Sequence, residues 1–252
     1  MTLYVYGDSF SASTETINAL ENVKCLTPLE KNWIDLVQEG LGQKEKVALG
    51  LHGANNEIIF AYLIQHKDQY KEGDVIIVQP TNAFRKWFFT DRPSWTNYWQ
   101  TNFKNEIGKI FTKEEVDAVE KYKKYLYNQK AYEVNYDMFL RGLAHFAQNN
   151  QHLRILILPG FHEIGGVTGV LQDISGGEFT DDKVLDKYYN YHGIDPRRNH
   201  MTNENHKILA DKIINFFKTG EIVDLTKDFH QGFITKNNYK TQIESLSKTV
   251  DS

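Results

Sequence analysis

Two runs of this chain, DVIIVQ at 74–79 and LRILIL at 153–158, are almost unbroken stretches of β-favouring apolar residues, and each is followed at once by a proline, Pro80 and Pro159. Runs without polar alternation suit strands covered on both faces, and proline ends the ladder because it brings no N–H. Two more strand candidates fall at 3–6 and 46–49. Between them, 29–41 carries Trp33, Leu36, Val37 and Leu41 at helical spacing, and 56–66 carries Ile59, Phe60 and Leu63 likewise. Strands alternating with helical patterns predict an α/β fold, a short parallel sheet joined by crossover helices.

The rhythm breaks at about 84–149, a stretch far longer than one crossover, with an aromatic-heavy start and a helical pattern over 113–148. It reads as an insertion. A last helix is predicted over 202–218, with Thr202 able to cap its start, Leu209, Ile213, Phe216 and Phe217 on one side and Gly220 as its stop. Beyond it the composition turns polar. The expected organisation is one domain over 1–220 and a C-terminal extension over 221–252, either wrapping or partly disordered.

Composition narrows the function classes. A net charge of −4 supplies no chain-wide attraction to nucleic acid or to an anionic membrane, so neither partner is expected. No run reaches the length of a membrane span. The start, MTLYVYGDSF, lacks the basic and long apolar parts of a secretion signal, which predicts a cytoplasmic protein or one released in a particle such as a virion. The lone Cys25 makes neither an internal disulfide nor a cysteine zinc site. No metal and no cofactor is expected: His200 and His206 stand six residues apart, neither i,i+3 nor i,i+4, and no glycine-rich phosphate motif is completed.

The chemistry starts at LYVYGDSF. A strand ending in Gly7-Asp8-Ser9 places Ser9 at the carboxyl edge of a parallel sheet, where such sheets build their sites. Ser9 is a candidate nucleophile, although Asp and Ser in this position serve equally as turn and cap residues. A nucleophilic serine needs a base, and His200, in a loop before the last helix, is the candidate. His206 lies one turn inside that helix in line with Leu209, Ala210 and Ile213, and reads as a core histidine. Asn55 and Asn56 open a predicted helix, where capping is the default role.

These residues resemble the GDSL-like, or SGNH, hydrolases, a family of serine esterases and lipases. The resemblance rests on four blocks in order, Gly7-Asp8-Ser9-Phe10, the stretch 50–56 around Gly53, Gln79-Pro80-Thr81-Asn82, and His200 with His206. It implies a flavodoxin-like three-layer sandwich, with Ser9 as nucleophile and His200 as base. The oxyanion hole would be formed by Ser9, Gly53 and Asn82. Two departures stand out. The third block lacks the family's glycine and aspartate, and the acid position three residues before the histidine holds Arg197, so either Asp195, five residues before it, or another acid completes a triad, or the site is a Ser-His dyad. The range of the family implies an ester substrate, such as an O-acetyl or other short acyl group on a carbohydrate. The G-x-S-x-G signature of the other large serine-hydrolase class does not occur.

Directly after Asn82, the segment 83–103 crowds Phe84, Trp87, Phe88, Phe89, Trp95 and further rings beside Arg85 and Lys86. It would overhang the site, with Trp87 as a stacking surface, Arg85 or Lys86 gripping an anionic group, and His52 touching substrate from the second block. The same rings would equally form a small core for the inserted helix. The alternative to an enzyme is a non-catalytic binding or structural module of a larger, phage-like assembly, in which the irregular third block and Arg197 reflect lost catalysis.

Overall fold

The computed structural model describes residues 1–20, 29–51, 54–83, 85, 112–126, 128–160, 201–221, 224–225 and 227–229. Its centre is a four-stranded, wholly parallel sheet in the order β2-β1-β3-β4, built from β1 (Thr2–Asp8), β2 (Glu45–Leu51), β3 (Val75–Val78) and β4 (Arg154–Ile157). The four predicted strands are all present. Every residue of β3 is buried, as its unbroken VIIV run demands of a strand with neighbours on both sides and helices on both faces.

Alternation along the strands sends side chains to two cores. On one face, Leu3, Val5, Val75 and Ile77 pack with Trp33, Ile34 and Val37 of α2 (Trp33–Gly40) and with Leu209, Ala210 and Ile213 of the last helix. On the other, Tyr4, Tyr6, Ile76 and Val78 meet Ile59 and Leu63 of α3 (Asn56–Gln65) and Leu143 and Phe146 of α5 (Gln129–Asn149). Each such aliphatic side chain contributes about 1.5–3 kcal/mol when removed from water. Tyr6 is fully buried on that second face, yet its hydroxyl is satisfied 2.8 Å from the Tyr70 hydroxyl, which in turn donates to the Leu63 carbonyl.

Helix ends differ from the sequence expectation for local reasons. The pattern at 29–41 becomes helical only at Trp33, because Asn32 caps it: its side chain accepts from the Ile34 and Asp35 N–H groups while Asp35 accepts from the Asn32 N–H. Asp35 also accepts from Thr14 and pairs with Lys46. Burial opposes its ionisation, but the Lys46 ammonium, the Thr14 hydroxyl and the Asn32 N–H outweigh that and hold the carboxyl below its ordinary value. A short helix, α1 (Thr14–Leu20), was not expected from periodicity.

The single helical pattern expected over 113–148 is two helices, α4 (Lys113–Tyr125) and α5, because Asn128 starts a new one by accepting from the Ala131 N–H. Through Leu143 and Phe146, α5 packs into the second core with Tyr4, Tyr6, Ile76 and Val78 of the sheet, so part of the 84–149 segment packs on the sheet. The last helix, α6 (Asn203–Thr219), is capped by Thr202 and stops at Gly220, which adopts φ 78° and donates its N–H to the Phe216 carbonyl. Beyond it Leu225 is buried in the first core, and Asp228 pairs with Lys212 at 2.9 Å.

Candidate active site

Ser9 follows β1 directly, in a single 3₁₀ turn over Ser9–Ser11, with the serine 5% exposed. Asp8 caps the turn, its Oδ1 accepting from the Phe10 N–H at 3.1 Å, and the Ser9 carbonyl accepts from the Ala12 N–H. The turn folds back over the sheet at one place, above Gly7 and Gly50, which face each other in the β1–β2 register. A side chain on either would occupy the space of Ser11. Ser11 is held there by a 2.7 Å hydrogen bond from its Oγ to Oε1 of the buried Gln79 at the end of β3.

The second oxygen of Asp8 is the centre of a buried network. Its Oδ2 accepts from Thr81 Oγ1 at 2.7 Å and pairs with Arg85 Nη1 at 2.7 Å, and Asp8 has no exposed surface. Arg85 Nη1 also donates to the Ala54 carbonyl, and the Arg85 N–H closes a turn onto the Asn82 carbonyl. The Asn56 side-chain amide then clamps the same loop, donating to the Thr81 carbonyl at 3.1 Å and accepting from the Thr81 N–H at 2.9 Å. The loops following β1, β2 and β3 are thus tied to one another at the carboxyl edge.

The start of α6 is anchored to the Ser9 turn through Trp33. Its indole N–H donates to the Phe10 carbonyl at 2.8 Å, and its backbone N–H, an orphan donor of the first helical turn, donates to His206 Nδ1 at 3.2 Å. The accepting Nδ1 places the ring proton on Nε2. His206 is 1% exposed, the core histidine its spacing predicted. Met201, directly after His200, lies in the same buried cluster as Phe10.

Of the residues predicted for the site, Ser9, Asn82 and Arg85 are described, and the first two stand on loops joined through the Thr81–Asp8 hydrogen bond. Arg85, expected to grip substrate, turns its guanidinium to Asp8 and to the Ala54 carbonyl. His200, Asp195, Gly53, His52 and Trp87 lie outside the described residues. Among the described residues no group hydrogen-bonds the Ser9 hydroxyl and no cluster of His, Cys, Asp or Glu has the makings of a metal site. Nor is any described helix long and apolar enough to cross a membrane. Asn55 caps α3 as expected, accepting from the Ile58 N–H. The roles of Asp8, Thr81, Asn56 and Trp33 were not read from the sequence, because nothing local marks a polar residue as the partner of another more than 20 positions away.

A cleft of about 450 Å³ opens beside this network, between α3 and α5, within the size range of small-molecule sites. Its lining includes Asn56 and Arg85 of the network and the aromatic rings of Phe60, Tyr136 and Phe139. The Phe60 and Phe139 rings meet edge to face at 6.1 Å, and burial pushes the Tyr136 hydroxyl up to about 12. No family model, curated protein or solved structure matches the chain.

Proposed function

We propose that the chain is a serine-dependent ester hydrolase of the SGNH type, on a flavodoxin-like three-layer sandwich. The observation that carries the reading is the buried Asp8–Thr81–Asn56–Arg85 network, which draws together the loops that bear three of the four motif blocks, beside a serine at the end of the first strand. The strand order β2-β1-β3-β4 supports it, since loops after β1 and β3 meet at the middle of such a sheet.

In this reading Ser9 Oγ attacks the acyl carbon as His200 takes its proton, with Asp195 as the acid that orients the imidazole. The developing oxyanion is held by the N–H groups of Ser9 and Gly53 and by the Asn82 amide. Collapse breaks the ester C–O bond, His200 returns the proton to the departing alcohol, and water, deprotonated by His200, releases the acid and regenerates Ser9. The substrate is a small-molecule or carbohydrate ester, of an O-acetyl or similar short acyl group, met in the cytoplasm or in a virion. Neither nucleic acid nor membrane takes part, and the chemistry needs no cofactor.

Labelling with a fluorophosphonate probe, located by peptide mass mapping, tests this. A stoichiometric adduct on Ser9, lost in Ser9→Ala and His200→Ala, is the expected result. A folded wild-type protein that takes no adduct would sink it and favour a non-catalytic binding module on the same scaffold.

A further inference from the structure

We infer that Arg85 is a positioning residue for Ser9, acting through Asp8; in its catalytic meaning the inference rests on the hydrolase reading above. Asp8 has two oxygens with different duties. One holds the Phe10 N–H and so sets the turn in which Ser9 sits; the other takes Thr81 and Arg85. The carboxylate's orientation, and with it the turn, is therefore governed by whatever engages the second oxygen. The Arg85 side chain, only 10% exposed, reaches Asp8 and the Ala54 carbonyl from one nitrogen, so the first, second and third loops share a single cationic fastener. A buried ion pair is poor value as pure stabilisation, because desolvation cancels most of the attraction, but it constrains geometry, and loss of one partner leaves an uncompensated charge. Arg85 also lies in the wall of the α3–α5 cleft, so a ligand in that cleft would adjoin the group that holds the turn.

A structural tie would lower stability everywhere alike, whereas a positioning tie acts first on the turn. The test is carried out on the full chain, as wild type, Arg85→Lys, Arg85→Ala and the pair Asp8→Asn/Arg85→Ala. Two readouts are taken: amide exchange at Phe10 relative to Ile76 in the middle of the buried strand β3, and the second-order rate of Ser9 labelling by a fluorophosphonate. For Arg85→Ala we expect Phe10 exchange to rise at least tenfold relative to Ile76 and labelling to fall at least tenfold. Arg85→Lys should recover part of both, because the charge is restored, and the double variant should show slower Phe10 exchange and faster labelling than Arg85→Ala, because no unpaired buried charge remains. Should Arg85→Ala fail to fold, Arg85→Lys and the double variant carry the comparison with wild type. Phe10 exchange that rises only in step with Ile76, or labelling at the wild-type rate in every folded variant, would overturn the inference. If wild type itself takes no label, the hydrolase reading fails separately, and the exchange contrast still decides whether Arg85 holds the turn.

Discussion

Gly7 and Gly50 face each other across β1 and β2, and a Cβ on Gly50 would stand 2.0 Å from the Ser11 backbone. On Gly7 the nearest atom would be the Ser11 Oγ at 2.5 Å, with Gln79 Oε1 at 2.8 Å. The two glycines form the floor on which the Ser9 turn lies, and their obstacles differ in kind: backbone in one case, side-chain ends in the other.

Gly50→Ala should therefore cost more than Gly7→Ala. Forced overpacking costs about 1–3 kcal/mol, and Gly50→Ala belongs at or above the top of that range because backbone cannot swing aside. Urea unfolding of both variants measures the difference, and equal midpoints would contradict it. Gly142 is a control: it lies inside α5, its added Cβ would sit 3.4 Å from Phe60, an ordinary contact, and Gly142→Ala should stabilise by about 0.5–1 kcal/mol through helix propensity.

His200 and His206 should separate cleanly. His206→Ala leaves the Trp33 N–H without its acceptor and opens space in the core, so a loss of at least about 1–3 kcal/mol is expected from the unsatisfied donor alone. His200→Ala should leave the unfolding midpoint near wild type and abolish probe labelling of Ser9. Thermal melts and labelling on the same two preparations check both halves.

Acid stability should depend on Asp35. Its carboxyl sits below its ordinary value in the folded chain, so the stabilisation is present in full above about pH 3.9, the unfolded value, and disappears as pH falls through the lower folded value. Asp35→Asn removes that dependence. Its stability between neutral pH and pH 3 should change less than that of wild type, seen as a flatter acid limb in unfolding midpoints; parallel limbs would refute the assignment.

Removal of the Asn82 amide should slow catalysis without unfolding the chain, since the side chain is proposed to meet an oxyanion that exists only in the transition state. A single donor of this kind is worth about 10²–10³ in kcat. For Asn82→Ala with a short-chain aryl ester, kcat should fall by that order while KM stays within a fewfold, and a change confined to KM would assign Asn82 to ground-state binding instead.

The strands were legible because burial on both faces leaves a mark in local composition: VIIV and RILI have few other uses, and prolines follow at 80 and 159. Helix starts were legible where a cap is a single residue, as with Asn55 and Thr202, and less so where it completes a box, as with Asn32 and Asp35. The division of 113–148 at Asn128 was missed because a capping asparagine inside a continuing apolar period resembles an ordinary surface residue until the chain is seen to turn. Of the candidate site, the position of Ser9 at the strand end and the buried state of His206 followed from order and spacing. The use of Arg85 did not.

Order along the chain was enough to determine an α/β domain with parallel strands, the placement of a serine at the edge where such sheets carry chemistry, and the cap-and-glycine limits of the last helix. Each depends on residues within a few positions of one another. Only the tertiary structure decided that Asp8 is satisfied by Thr81 and Arg85, that Asn56 clamps Thr81, and that Trp33 links Phe10 to His206. The physical reason is distance in sequence. A buried polar group must find a partner, but its own neighbourhood does not say which of many distant donors the fold will bring within 3 Å.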